Sequence, residues 1–334
     1  MKIPIKLLIF FSAVIYFVCL LLPDLVNLNY LETASLNTDL FIPGAERSEE
    51  NAKKQGFYLL YDTNKSEYIS LSEDDFLIST VSLELSPLTD IEAIKAQAVA
   101  ARSFYRYKKE ENKEEKYDLL FSSIEPTIYA DENYFEEKWG ENYQEYREII
   151  KSALKATENE VLCFEDTIAC CSYYAISDGV TESAEEIWQL SYPYLIPVAS
   201  PYDILSPYFE TKTYFTPEEV KELLINNYPD AKIDFTIPYE RWFSEITYTT
   251  SSSVKSVNIC GFSVTGKEVR NIFSLRSTTF DIIYDGESFL FKTKGYGHGV
   301  GMSQTGASYM AQSGSDYREI LAYYYPGTTL TKLL

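Results

Sequence analysis

At 334 residues, 46% of them hydrophobic and 29 of them tyrosine, the chain has the material for a well-filled core in one large or two modest domains. Its formal net charge of -21 at pH 7 argues against nucleic acid as a partner, because that binding sets Lys and Arg against phosphates. The same charge opposes simple electrostatic adhesion to anionic polymers or lipid headgroups.

The chain opens with an almost wholly apolar run from Leu7 to Leu22, preceded by Lys2 and Lys6 and followed by Pro23-Asp24. The run approaches the roughly 20 residues that cross a bilayer as a helix. Its lysines sit on the side that stays cytoplasmic. A cleaved signal peptide is the rival reading, but no small-x-small site follows Leu22, and Val18 before Cys19 does not make a lipobox. Residues 1–23 are therefore expected to be a single-pass anchor with a cytoplasmic N-terminus. Residues 24–55 are expected to be a polar stalk, and residues 56–334 a globular region outside the membrane, with 203–290 as a candidate subdomain.

Phe57 to Tyr61 and Phe76 to Val81 read as strands around a polar loop. Thr89-Asp90-Ile91-Glu92 has the form of a capping box opening a helix toward Lys108. The stripe Ile91, Ile94, Ala98, Ala101 and Tyr105 keeps helical spacing, with alanines that permit close packing. Glu84 then falls at a strand end or loop just ahead of it. A second helix is predicted over Tyr143 to Ala156. Val161 to Phe164 and Ile168 to Ile176 read as a hairpin that delivers Ser177-Asp178-Gly179 at its end. Thr216-Pro217-Glu218-Glu219 caps a helix to about Asn226, and several strands follow through Phe291. Ser303 is a candidate N-cap for a helix ending at Gly314 and Ser315 for another, with Pro326-Gly327 as the stop. This order of elements fits an α+β fold of mixed sheets with one long motif-bearing helix better than regular βαβ alternation. Cys163, Cys170, Cys171 and Cys260 are too few for a disulfide scaffold, although Cys163 could meet one of Cys170 and Cys171.

The single histidine, His298, lies in Gly295-Tyr296-Gly297-His298-Gly299-Val300-Gly301-Met302-Ser303-Gln304. Glycines at that density let backbone approach another backbone or a ligand closely, so the stretch reads as a site wall, with a set of tight turns as the alternative. Together with Glu84-Leu85-Ser86-Pro87, the Ile91 to Arg102 segment containing Lys95-Ala96-Gln97-Ala98, the Ser177 to Trp188 segment, Gly266 to Arg270, Leu275 to Thr278 and Tyr324 to Thr328, it resembles the sporulation stage II protein D (SpoIID) family over about residues 57 to 330. The resemblance implies a peptidoglycan lytic transglycosylase acting on glycan strands stripped of their stem peptides. Its implied partners are those strands, a cell-wall amidase and other sporulation membrane proteins. The family's amidase-enhancing relatives supply the alternative, a non-catalytic glycan-binding module that stimulates an amidase.

Cleaving a glycosidic bond needs a proton for the leaving oxygen, and a carboxylic acid of raised pKa is the usual donor. Glu84 is the candidate: it precedes the Lys-Ala-Gln-Ala helix as the family's catalytic glutamate does, and flanking Leu83 and Leu85 would desolvate it. A transglycosylase needs no second carboxylate, since the muramic acid's own 6-hydroxyl can attack; Glu182 would serve if the reaction were hydrolysis. Ser177, Thr181, Glu182, Tyr296, His298, Ser303 and Gln304 are candidate substrate contacts, the hydroxyls equally suited to turns and caps. Lys95, Gln97 and Arg102 are candidate supports for Glu84 or flanks of the cleft, and His298 a candidate partner of Glu84. Members of the family commonly carry a zinc-associated Cys/His cluster after the Lys-Ala-Gln-Ala helix, but Ser103 to Glu160 contains neither residue, so no metal or cofactor is expected. Asp178 stands where the family's Ser-Gly-Gly patch has a second small residue.

Overall fold

The computed structural model describes residues 56–333. The anchor and stalk expected over residues 1–55 lie outside the described residues, and among those described no helix is long and apolar enough to cross a membrane.

β1 (Phe57–Asp62) and β2 (Glu67–Ser72) form an antiparallel hairpin, and β1 takes β3 (Leu119–Phe121) in parallel on its other edge. Between β2 and β3 run α1 (Glu73–Glu84) and α2 (Ile91–Glu111). The strand expected over Phe76 to Val81 is thus the middle of a helix. Ser72 caps α1 by accepting from the Asp75 N–H, and Glu73, Asp74 and Asp75 fill the first turn, where the helix dipole favours them. The β-branched residues Ile78, Thr80 and Val81 cost about 0.5 kcal/mol each in helix propensity. Burial of Phe76, Leu77 and Val81 gains about 1.5–3 kcal/mol each and decides the outcome. The hydroxyls on this helix also have work. Ser79 Oγ bonds the Ala130 carbonyl (2.9 Å) and accepts its N–H (2.8 Å), while Thr80 Oγ1 donates to the Ile128 carbonyl (2.7 Å). Together they tether the chain that leads into α3 (Glu132–Trp139), so that Phe135 packs with Leu83 and Tyr143.

The N-cap of α2 is Asp90, one residue later than the capping box predicts, and its side chain accepts from the Glu92 N–H at 2.9 Å. Ala93, Ala96, Ala98, Ala100 and Ala101 are buried round most of the helix, which lets α1 and α4 (Tyr143–Ala156) approach it. Ile91, the first residue of the expected stripe, is exposed. α4 has the predicted bounds. Arg102, buried, closes its C-terminal end: Nη1 donates to the carbonyls of Thr157 (2.8 Å) and Glu160 (3.1 Å), and Nη2 to that of Leu154 (3.4 Å). Arg102→Met should therefore lower stability by about 2–4 kcal/mol, the cost of leaving several buried acceptors without a donor, read as a fall in the urea midpoint. Loss of activity at unchanged stability would instead put Arg102 in the service of the acid.

β4 (Glu160–Phe164) and β5 (Thr167–Ile168) make the expected hairpin, but its second strand stops at Ile168. The chain then leaves for a different partner: β6 (Tyr173–Tyr174) runs parallel to β13 (Met302–Ser303). Ser172 anchors the departure, its hydroxyl donating to the Val300 carbonyl (3.1 Å) and its carbonyl accepting from Tyr325 Oη (2.7 Å). Short α5 (Ala184–Trp188) follows.

β7 (Glu210–Phe215), α6 (Pro217–Asn227), β8 (Phe243–Tyr248), β9 (Val254–Ile259), β10 (Phe262–Thr265), α7 (Gly266–Ile272), β11 (Phe280–Tyr284) and β12 (Phe289–Lys294) come next. They form two antiparallel three-stranded sheets around an aromatic core that includes Trp242, Phe273, Phe289 and Phe291. The predicted Thr216 capping box is present in full with Glu219. α8 (Gln304–Gln312) starts from Ser303 as predicted, whereas α9 (Tyr317–Tyr324) is capped by Asp316 and not Ser315, because Asp316 and Glu319 complete a reciprocal box. β14 (Thr329–Lys332) closes the chain on the outer edge of β4. The architecture is α+β, with several small sheets and a larger core centred on α2. Cys163, Cys170, Cys171 and Cys260 are all free thiols.

Candidate functional site

Glu84 is the last residue of α1, not part of a strand end. The residue as a whole is half-buried, while its carboxyl end is enclosed. Gln304, the first residue of α8, reaches across so that its Nε2 donates to Glu84 Oε2 at 3.0 Å. The same Nε2 lies 3.5 Å from Gln97 Oε1 on α2, and the buried Gln97 Nε2 has no hydrogen-bond partner among the described residues. Burial pushes the Glu84 carboxyl up to about 7; the Gln304 bond and then the charge of Lys138 on α3 pull it back. Lys138, an exposed residue, feels the reverse: partial desolvation lowers its pKa and Glu84 raises it. Tyr105 on α2 and Tyr173 on β6 complete the surroundings; burial first, with the Glu84 charge adding to it, holds both phenols protonated. This is a helix-borne carboxyl that can carry a proton near neutrality, beside an amide donor and an ammonium.

A polar pocket elsewhere is lined by Asp178, Glu182, Ser253, Thr279, Lys294 and His298 among others. Glu182 is 2% exposed; its Oε1 accepts from Thr249 Oγ1 at 3.0 Å and its Oε2 has no partner among the described residues. Burial raises its pKa, as it does for Asp178. His298 Nδ1 accepts from the Val300 N–H at 3.1 Å, which places the ring proton on Nε2. Burial, and secondarily Arg270, lowers the His298 pKa to about 3, so the imidazole is neutral. Its ring lies 5.6 Å from that of Tyr174. Tyr173 and Tyr174 are neighbours in one strand and point to opposite faces. Glu84 and the His298–Glu182 pocket therefore lie on opposite sides of β6, and His298 is not a partner of Glu84.

The glycines of the His298 stretch do permit close approach: Gly295, Gly297, Gly299 and Gly301 all have positive φ, and a Cβ on any of them would meet the Ser172 to Glu182 chain within 3 Å. Several expected contacts are instead absorbed by the fold. Ser177 donates its N–H (2.8 Å) and its hydroxyl to Asp203 and accepts from the Gly179 N–H (3.1 Å). Thr181 Oγ1 spans the Ile196 carbonyl (3.1 Å) and the Val198 N–H (2.8 Å). Ser303, fully buried, caps α8. Tyr296 pairs through its backbone with Ile176, its ring 5.3 Å from the Arg276 guanidinium. Lys95 pairs with Glu92 at 2.5 Å, and Arg102 faces α4, so neither supports Glu84. Of the expected residues only Gln97 and Gln304 join the acid. Tyr105, Tyr173 and Lys138 were missed. Gln97, Ala101 and Tyr105 follow one another at four-residue steps along α2, which was the available signal for Tyr105. Among the described residues no group of three or more His, Cys, Asp and Glu is placed to hold a metal ion.

An enclosed carboxyl with a pKa raised to about 7 makes Glu84 the candidate general acid, carried here on an α+β scaffold. The sequence profile of the stage II sporulation protein family matches residues 61–164. The chain is 30% identical over 278 residues to stage II sporulation protein D of Bacillus amyloliquefaciens, covering 82% of this chain and 78% of that protein. It is 29% identical, with the same coverage, to stage II sporulation protein D of Bacillus subtilis. It is also 26% identical to a Bacillus subtilis protein named amidase enhancer, across 74% of this chain but 39% of that one. The chain belongs to the stage II sporulation protein D family.

Proposed function

We propose that the protein is a lytic transglycosylase that cuts peptide-free glycan strands and leaves 1,6-anhydromuramic ends, working outside the cell membrane from an anchor formed by residues 1–23. The observation that carries the reading is Glu84, a lone acid whose enclosure raises its pKa to about 7. In the reaction Glu84 gives its proton to the departing glycosidic oxygen. The 6-hydroxyl of the muramic acid then closes on C1 and yields its proton to the Glu84 carboxylate, which restores the acid. The charge that bears on Glu84 is that of Lys138, and no second carboxylate is among the groups that shift its pKa. A single acid/base is the requirement of this route and not of hydrolysis, which calls for a second carboxylate. The anchor rests on the hydropathy of Leu7 to Leu22.

Mass spectrometry of the products from denuded strands tests the reaction: 1,6-anhydromuramic ends are expected, and reducing ends would establish hydrolysis. The similarity to the protein named amidase enhancer favours a second reading, a glycan-binding module that stimulates a cell-wall amidase. Stimulation of an amidase with no cleavage of any strand would select it.

A further inference from the structure

We propose that Gln304 is a positioning residue for the acid and not a sugar contact: its side-chain amide, held in one orientation by Gln97, confines the proton of Glu84 to Oε1, the oxygen left free to meet the glycosidic bond. The inference rests on the glycan-cleaving reading above and adds to it the atom that delivers the proton.

Gln304 Nε2 carries two N–H groups and has two acceptors within reach, Glu84 Oε2 at 3.0 Å and Gln97 Oε1 at 3.5 Å. Turning the Gln304 amide over would set its carbonyl oxygen against Gln97 Oε1, oxygen to oxygen. Turning the Gln97 amide over would set N–H against N–H. The pair is therefore locked. Gln97 is fully buried, and in this orientation its Nε2 finds no partner among the described residues. An unpaired buried donor is costly, and the grip of Oε1 on Gln304 is what that cost maintains. In a protonated carboxyl the carbonyl oxygen is the stronger acceptor, so a fixed donor at Oε2 makes that atom the carbonyl and leaves the hydrogen on Oε1. Glu84 is half-buried, and its Oε1 takes no bond from the described residues and is not fully sealed from solvent.

Both amides sit on fixed elements. Gln304 is buried and opens α8 directly after the β6–β13 ladder; Ser303 before it caps the helix, and the Thr305 N–H after it donates to the Ala175 carbonyl at 3.0 Å. Gln97 lies in the middle of α2 between buried Ala96 and Ala98. With both hydrogens of Gln304 Nε2 engaged, none is left to offer to a sugar. The other groups facing Glu84 are Lys138 from α3, Tyr105 from α2 and Tyr173 from β6, and both phenols stay neutral. As the C1–O bond breaks, its electron pair leaves with the glycosidic oxygen, which takes the hydrogen from Oε1. The carboxylate then receives the 6-hydroxyl proton on the same atom, and the N–H at Oε2 steadies the charge in between.

The test is a titration of Glu84, followed by carbon NMR of protein labelled at the glutamate carboxyl carbons and assigned by the signal lost in Glu84→Gln. Wild type should titrate at about 7. Gln304→Leu should move the midpoint up by about one pH unit, because a donor to the charged form is gone. It should also lower kcat about 10- to 100-fold with KM little changed, since the acid is no longer aimed. A merely structural glutamine would lower stability and leave the midpoint in place. Gln97→Met frees the Gln304 amide to turn and accept the acid's hydrogen, so the midpoint should again rise and kcat fall, by about 3- to 10-fold. Its stability should stay close to wild type, because one unpaired buried donor is exchanged for another. Midpoints that move in both variants of a protein that cleaves no strand would sink the enzymatic reading and leave the amide lock standing. An unmoved midpoint in either variant, or cleavage by Gln97→Met at the wild-type rate, overturns it.

Discussion

Glu84→Gln should reduce strand cleavage by about 10²-fold or more while making the folded protein more stable at pH 8 than wild type. The two effects share one cause. Glutamine keeps the shape and the oxygen that accepts from Gln304 Nε2, now at 3.0 Å, but it has no proton to transfer. The stability effect follows from the same enclosure. The Glu84 carboxyl rises from an ordinary 4.5 to about 7 on folding. Below 4.5 the group is protonated in both states and costs nothing. Between 4.5 and 7 the folded state holds the extra proton, so stability falls as pH rises through this window. Above 7 the full penalty of an enclosed carboxylate is present, about 1–3 kcal/mol after allowance for the exposed part of the residue. Thermal melts of variant and wild type should therefore coincide near pH 4 and diverge toward pH 8, with the variant higher. Wild-type kcat/KM should decline above about pH 7 as the acid loses its proton. Glu182→Gln removes the same charge beyond β6 and should leave cleavage within severalfold. Cleavage by Glu84→Gln within tenfold of wild type, or loss of activity in Glu182→Gln instead, would move the acid off α1.

The parts of the fold legible in the sequence were those written in local code. α4 has the predicted bounds because Ile150 and Leu154 repeat at helical spacing on one buried face. The α6 capping box and the Ser303 cap are local hydrogen-bond devices and appear where their residues stand. α1 was misread because Phe76 to Val81 is rich in β formers, and the signals against a strand were the Ser72 cap and three acids before it. β6 was misread because a two-residue ladder is decided by its tertiary partner, Met302 to Ser303, more than 120 residues away. The same limit shaped the site. Glu84 and Gln97 stood in recognisable motifs, but Lys138 comes from a helix with one buried side chain and no periodic face, placed by the Ser79 and Thr80 bonds and by the packing of Phe135 on Leu83. Hydroxyls such as Ser177 and Thr181 looked like sugar contacts because the chemistry that binds a sugar is the chemistry that closes a turn.

Gly301→Ala should cost more than about 3 kcal/mol. Two penalties coincide. Gly301 has φ +86°, a left-handed conformation that costs a residue with a Cβ about 1–2 kcal/mol. A Cβ there would also lie 2.0 Å from the Ser172 carbonyl oxygen and 2.8 Å from Ser172 Oγ. That carbonyl accepts the Met302 N–H at 3.1 Å, and Ser172 Oγ donates to the Val300 carbonyl at 3.1 Å, so the two backbones have no room to part without breaking the β6–β13 ladder. The ladder sets the start of α8, hence the position of Gln304 against Glu84, so the damage should reach the acid as well as the fold. Gly314→Ala separates the two penalties: its φ is +100°, but a Cβ there meets nothing within 4 Å, so only the conformational cost of about 1–2 kcal/mol applies. Urea unfolding of both variants gives the comparison. Equal losses would mean that the chain relaxes around the Ser172 contact, and the glycine would then be needed for its φ alone, not for the approach of the two strands.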